Sequence, residues 1–128
     1  MIALLGATAL TLTGLQATIS APTDAFRGCL REATARAETE KVGGDAIESY
    51  LRNACTVQMG GLKSALVAFR LKNGMGKSAA ASDAAMTVDD YVATPVDNYK
   101  FMADLLAKQH SAPTAPAAPA ASAQPPKP

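Results

Sequence analysis

The sequence predicts an all-α protein, a small antiparallel three-helix bundle with a disulfide between helices 1 and 2, and three observations carry that expectation. Apolar residues recur at three- and four-residue spacing almost throughout residues 22–109, and no alternating run there is convincing as a strand. Gly43-Gly44 and Asn73-Gly74 divide that stretch into segments of helical length. Two cysteines, Cys29 and Cys55, fall one in each of the first two segments. The size of the chain sets the outer bound. With 128 residues, 48% of them hydrophobic, it can hold one small domain plus tails. Alanine supplies 28 of those hydrophobic residues and tryptophan none, so a large multilayer enzyme is excluded.

Residues 1–21 carry no charge and run IALLGATALTLTGL through their apolar middle, the pattern of an export signal peptide. The apolar run is shorter than the roughly 20 residues a membrane-spanning helix needs. Small residues cluster at Ala17, Thr18, Ser20 and Ala21, which places cleavage after Ala21 or a few residues earlier. No Lys or Arg precedes the run, although such signals normally begin with positive charge, so the translation start is expected upstream. An uncleaved anchor or a buried N-terminal helix is the alternative. Gly28-Cys29 does not make a lipoprotein site, because Phe26 and Arg27 stand before it.

The first helix is expected over residues 23–42. Thr23 is its candidate N-cap, Asp24 sits in its first turn, and Phe26, Leu30, Ala33 and Ala37 form its apolar stripe. Arg27, Arg31, Glu38 and Glu40 form the opposite face. Gly43-Gly44 is expected to end it by supplying a positive φ, with Asp45 capping the next helix. The second helix, residues 45–72, carries Ile47, Leu51, Ala54, Gln58, Leu62, Ala65 and Phe69, with Cys55 and Leu66 beside them. Gly60-Gly61 inside it reads as a place where a neighbouring helix comes close, or else as a weak point.

The third helix begins between Ser78 and Thr87, with Ser82 or Thr87 as a cap, and carries Ala84, Val88, Tyr91, Pro95, Tyr99, Met102 and Leu106. At Pro95 it is kinked or broken, since Thr94-Pro95-x-Asp97 is itself a good helix start. The stripe keeps its phase across Pro95, which favours the continuous, kinked helix. Six of the eight prolines then fall within residues 113–128, so residues 110–128 read as a disordered Ala/Pro-rich tail with no motif beyond a loose PxxP.

Short connections make the helices antiparallel neighbours. A hairpin turning near Gly43 brings Cys29 and Cys55 to nearly the same level, and an oxidising compartment, periplasmic or extracellular, would join them. A redox-active dithiol would need a Cys-x-x-Cys spacing that is missing.

Little in the chain points to catalysis. NGMGKS at residues 73–78 resembles a phosphate loop only superficially, since Leu71 stands where the pattern needs glycine and a helix precedes it. The single histidine, His110, adjoins the tail and cannot anchor a triad. Asp89, Asp90 and Asp97 lack calcium-loop spacing, so no metal and no cofactor is expected. A formal net charge of +1 lacks the basic footprint of a nucleic-acid binder. Arg52, Lys63, Arg70, Lys72 and Lys77 read as a mixed solvated surface rather than a docking stripe.

Tyr91, Pro95, Tyr99 and Met102, with Phe101 close by, are the candidate ligand-lining residues, where a proline kink opens the bundle; the competing reading places them in the core. The expected function is that of an exported, non-enzymatic binding or interaction module of the cell envelope, with a small apolar-ligand carrier as the alternative. Its expected partners are an envelope protein or a small apolar ligand, with no stable membrane span after signal cleavage. Homo-oligomerisation would bury any apolar surplus.

Overall fold

The computed structural model describes residues 10–113, with side chains from residue 19 onward. Residues 1–9 of the expected signal and 114–128 of the expected tail lie outside the described residues. Four helices follow in order, α1 (Leu10–Glu40), α2 (Ile47–Ala54), α3 (Thr56–Lys72) and α4 (Lys77–Ser111), with no strand among the described residues.

Side-chain contacts fix the helix directions. Cys29 of α1 is bonded to Cys55 between α2 and α3. Tyr50 donates a 2.9 Å hydrogen bond to Glu40, so the chain turns back along α1. Arg52 of α2 pairs with Asp89 and Arg70 of α3 with Asp83, which sets the leg formed by α2 and α3 antiparallel to α4. Phe26 meets Tyr91 edge to face, and further along both helices Tyr99 reaches Ala37 and Val42, so α1 and α4 run in the same direction. The core lies between these legs. Phe26, Leu30, Ala33 and Ala37 are buried from α1 as their spacing requires, against Ile47, Leu51, Cys55, Leu62 and Leu66. From α4 the buried set is Ala80, Ala84, Val88, Val92, Val96 and Tyr99, almost every fourth residue.

Several expected details are corrected. The single helix over 45–72 is two. Cys55 leaves helical geometry (φ −113°, ψ 24°), and the Thr56 hydroxyl lies 3.0 Å from the Arg52 carbonyl and 3.1 Å from that of Asn53, supplying a local donor at the break. The disulfide therefore ties α1 to the α2–α3 junction rather than to the body of a second helix.

Thr23 is no cap. α1 already runs from Leu10 through Pro22, and the Thr23 hydroxyl donates back to the Ile19 carbonyl at 2.8 Å. Thr87 does the same toward Asp83, and α4 begins earlier, at Lys77 after Gly76. It continues through Pro95 without a break.

The left-handed residue ending α1 is Lys41 (φ 55°), not Gly43 or Gly44. Asp45 does not cap α2, whose N-cap position is Ala46 without a side-chain bond. Gly60 and Gly61 approach no neighbour: a Cβ on either would meet nothing within 4 Å. Their expected packing role is absent.

Candidate functional site

A groove of about 630 Å³ runs between α1 and α4. Its α4 wall contains all four sequence-derived candidates, Tyr91, Pro95, Tyr99 and Met102, and its α1 wall contains Leu30, Thr34 and Ala35. Short side chains at Thr34 and Ala35 leave the space that larger ones would fill. The core reading of the four candidates holds for Tyr99 alone, since Tyr91 and Pro95 are half-buried and Met102 is 53% exposed. Phe101 does not line the groove and is 62% exposed.

The two aromatic rings are held in different ways. Tyr91 stands edge-on to the fully buried Phe26, with centroids 6.4 Å apart and planes at 79°, a favourable quadrupole arrangement. Tyr99 is fixed by its hydroxyl, which donates at 2.6 Å to the Val42 carbonyl and also lies 3.1 Å from that of Ala37. Both bonds tie α4 to the end of α1. Pro95 stands between the rings, and with no N–H it leaves the Tyr91 carbonyl without its helical amide partner.

Charge is unevenly placed along the groove. Arg27 and Arg31 lie at the Tyr91 level and Glu38 towards Tyr99 and Met102. Among the described residues, neither arginine is joined to a carboxylate. By contrast, Arg52 bonds both Glu48 and Asp89 at 2.9 Å. Burial acts to lower the Arg52 pKa, but those two carboxylates outweigh it and hold the guanidinium charged. Arg70 bonds Asp83 at 2.6 Å and lies 5.7 Å from the Phe69 ring centroid. Two members of the basic stretch on the middle leg are thus neutralised within the fold.

The remaining sequence candidates fall elsewhere. Residues 73–76 of NGMGKS form the reversal between α3 and α4. His110 lies near the end of α4 with Nδ1 2.7 Å from the Leu106 carbonyl. No cluster of metal-ligating side chains occurs among the described residues. Nor is any helix there long and apolar enough to cross a membrane.

Sequence reasoning missed the α1 wall. Arg27, Arg31 and Glu38 were legible as the polar face of an amphipathic helix, but only the docking of α4 turns that face into one side of a groove. No family model, no curated protein and no solved structure matches this chain.

Proposed function

We propose that the protein is an exported, non-enzymatic binding module whose α1/α4 groove takes a small apolar molecule with an anionic end. The groove itself carries this reading. It gathers Tyr91, Pro95, Tyr99 and Met102 along one wall and leaves Arg27 and Arg31 without a carboxylate partner at one end. Its volume lies in the range of small-molecule sites, which pair an apolar lining with few polar groups. Arginine presents a fixed fork of donors that matches a carboxylate or similar anion, while the tyrosine faces and the Met102 thioether accept an alkyl or aromatic body.

The Cys29–Cys55 disulfide supports the exported part of the reading, because such bonds persist in oxidising compartments. Cleavage after Ala21 would shorten α1 to residues 22–40 and remove Ile19 from the edge of the core. Phe26, Leu30, Ala33 and Ala37, which hold the groove wall in place, would remain.

Dodecanoate, titrated against the protein while the Met102 methyl and the tyrosine ring signals are followed by NMR, tests the site. Saturable binding is expected, with shifts confined to the groove. Replacing Arg27→Gln and Arg31→Gln together should weaken it by about 1.5–3 kcal/mol, the range for hydrogen bonds to a charged group. Ala35→Trp should fill the groove and abolish binding. Failure to saturate, or equal affinity for uncharged dodecanol with no response to the arginine changes, would refute the proposal.

A further inference from the structure

The groove carries charges of both signs, and α1 sets their spacing. Arg27, Arg31, Thr34 and Glu38 follow at intervals of four, three and four residues, so they lie along one line of the helix surface, and all four line the groove. At about 1.5 Å per residue, Glu38 stands about 10.5 Å beyond Arg31 and about 16.5 Å beyond Arg27. Like the two arginines, Glu38 is exposed and is joined to no opposite charge among the described residues. On the α4 wall Asn98 stands between Tyr91 at the arginine end and Met102 at the Glu38 end, a polar amide set within an apolar track.

We propose that the groove's ligand is a short apolar peptide with free ends, its terminal carboxylate at Arg27 and Arg31 and its terminal ammonium at Glu38. The inference rests on the reading of the groove given above and names its ligand class. An extended chain advances about 3.3 Å per residue, so three to five residues span about 10 to 16 Å. That is the separation of the groove's charges. A fatty acid would satisfy the arginines and leave Glu38 beside an alkyl end, whereas a peptide of this length gives both ends of the groove a partner.

The middle of the groove suits a peptide as well. Each peptide unit brings an N–H and a C=O that need partners, and the Asn98 amide offers both a donor and an acceptor. Apolar side chains of the peptide would lie on Tyr91, Pro95 and Met102. Charge also selects one direction. In the reverse orientation the ammonium would face two guanidiniums and the carboxylate would face Glu38, and repulsion at both ends rejects that pose. The guanidinium fork matches a carboxylate, while the Glu38 oxygens accept hydrogen bonds from the ammonium.

The test uses the tetrapeptide Leu-Ala-Leu-Ala with free ends, the same peptide N-acetylated, and dodecanoate. Each is titrated against the natural chain and against Glu38→Gln while the Met102 methyl and tyrosine ring signals are followed. Acetylation removes the ammonium and keeps the carboxylate and side chains. Glu38 is exposed, so its replacement leaves the core intact. The free-ended peptide is expected to bind the natural chain about 2- to 5-fold more tightly than the acetylated one, the range for an exposed ion pair. Glu38→Gln should bind the two peptides equally and dodecanoate no less tightly than the natural chain does. Glu38→Lys should reverse the preference.

Equal affinity of the natural chain for the two peptides would overturn the proposal, as would a preference that survives Glu38→Gln, which places the ammonium elsewhere. Saturable dodecanoate binding without peptide binding would overturn it while leaving the ligand reading intact. If neither dodecanoate nor the peptides saturate, the proposal and the ligand reading fall together.

Discussion

At the end of α1 the Val42 amide returns to the Ala37 carbonyl at 3.0 Å and that of Lys41 to Glu38 at 3.3 Å. At the end of α3 the Met75 amide returns to Arg70 at 3.0 Å and that of Gly74 to Leu71 at 3.1 Å. Both are Schellman closures, in which one residue in the left-handed region turns the backbone so that two amides satisfy otherwise orphaned carbonyls. At the second reversal that residue is Gly74 (φ 85°), which has no Cβ to clash. At the first it is Lys41 (φ 55°), for which the same conformation is unfavourable.

What differs is the support each reversal receives from elsewhere. The first is enclosed by the Cys29–Cys55 bond, and its last carbonyls lie within reach of the Tyr99 hydroxyl. The second is closed by local backbone bonds, with the Arg70–Asp83 pair joining its two helices. A locally unfavourable turn is thus held by long-range contacts, and a locally favourable one needs few. The groove depends on the first of these, because Tyr99 both caps that turn and forms part of the groove wall.

The comparison can be broken most severely at the disulfide. Replacing Cys29→Ala and Cys55→Ala should cost about 3–4 kcal/mol by the chain-entropy model, measured by urea unfolding of both chains. A cost below about 1 kcal/mol would mean that packing, not the covalent tie, holds the first reversal. Next in size is Tyr99→Phe, which leaves the Val42 carbonyl without its side-chain donor and should cost about 1–2 kcal/mol. It should also shift the amide signals of Lys41 and Val42, and unchanged signals there would detach Tyr99 from the turn.

Gly74→Ala should destabilise by about 1 kcal/mol, because a Cβ is strained at that φ even though the space around it is open. Smallest is Lys41→Gly, expected to stabilise by about 0.5–1 kcal/mol by relieving the same strain. If Lys41→Gly were instead destabilising, the left-handed lysine would be contributing something other than strain.

An electrostatic contact borders the same turn. Tyr50 donates to Glu40, the last residue of α1, and that bond holds the phenol pKa above its ordinary value of 10.0. Ultraviolet titration should find Tyr50 ionising at lower pH in Glu40→Gln than in the natural chain, and an unchanged titration would detach the phenol from Glu40.

The contrast between the turns also explains which features could be read from the sequence. Asn73-Gly74 announces its own turn, since glycine removes a local clash. Lys41 does not, because the side chain that bonds the carbonyls of its turn, Tyr99 on Ala37 and Val42, comes from more than fifty residues away. The α1 stripe Phe26, Leu30, Ala33 and Ala37 was legible for the same reason as Gly74: a 3.6-residue period follows from backbone geometry alone. The break at Cys55 was not, because apolar spacing continues across it and only the φ and ψ of one residue depart from helix.

By itself, then, the sequence determined the all-helical class, the two reversals near residues 43 and 73, and the shared α4 face of Tyr91, Pro95, Tyr99 and Met102. Those properties follow from local periodicity and turn chemistry. The tertiary structure alone decided which faces of α1 and α4 meet, that Arg27 and Arg31 face this apolar wall, and that Gly60 and Gly61 face none. These depend on which surfaces meet, and the meeting of surfaces is set by packing over long separations in the chain, which no short window of residues encodes.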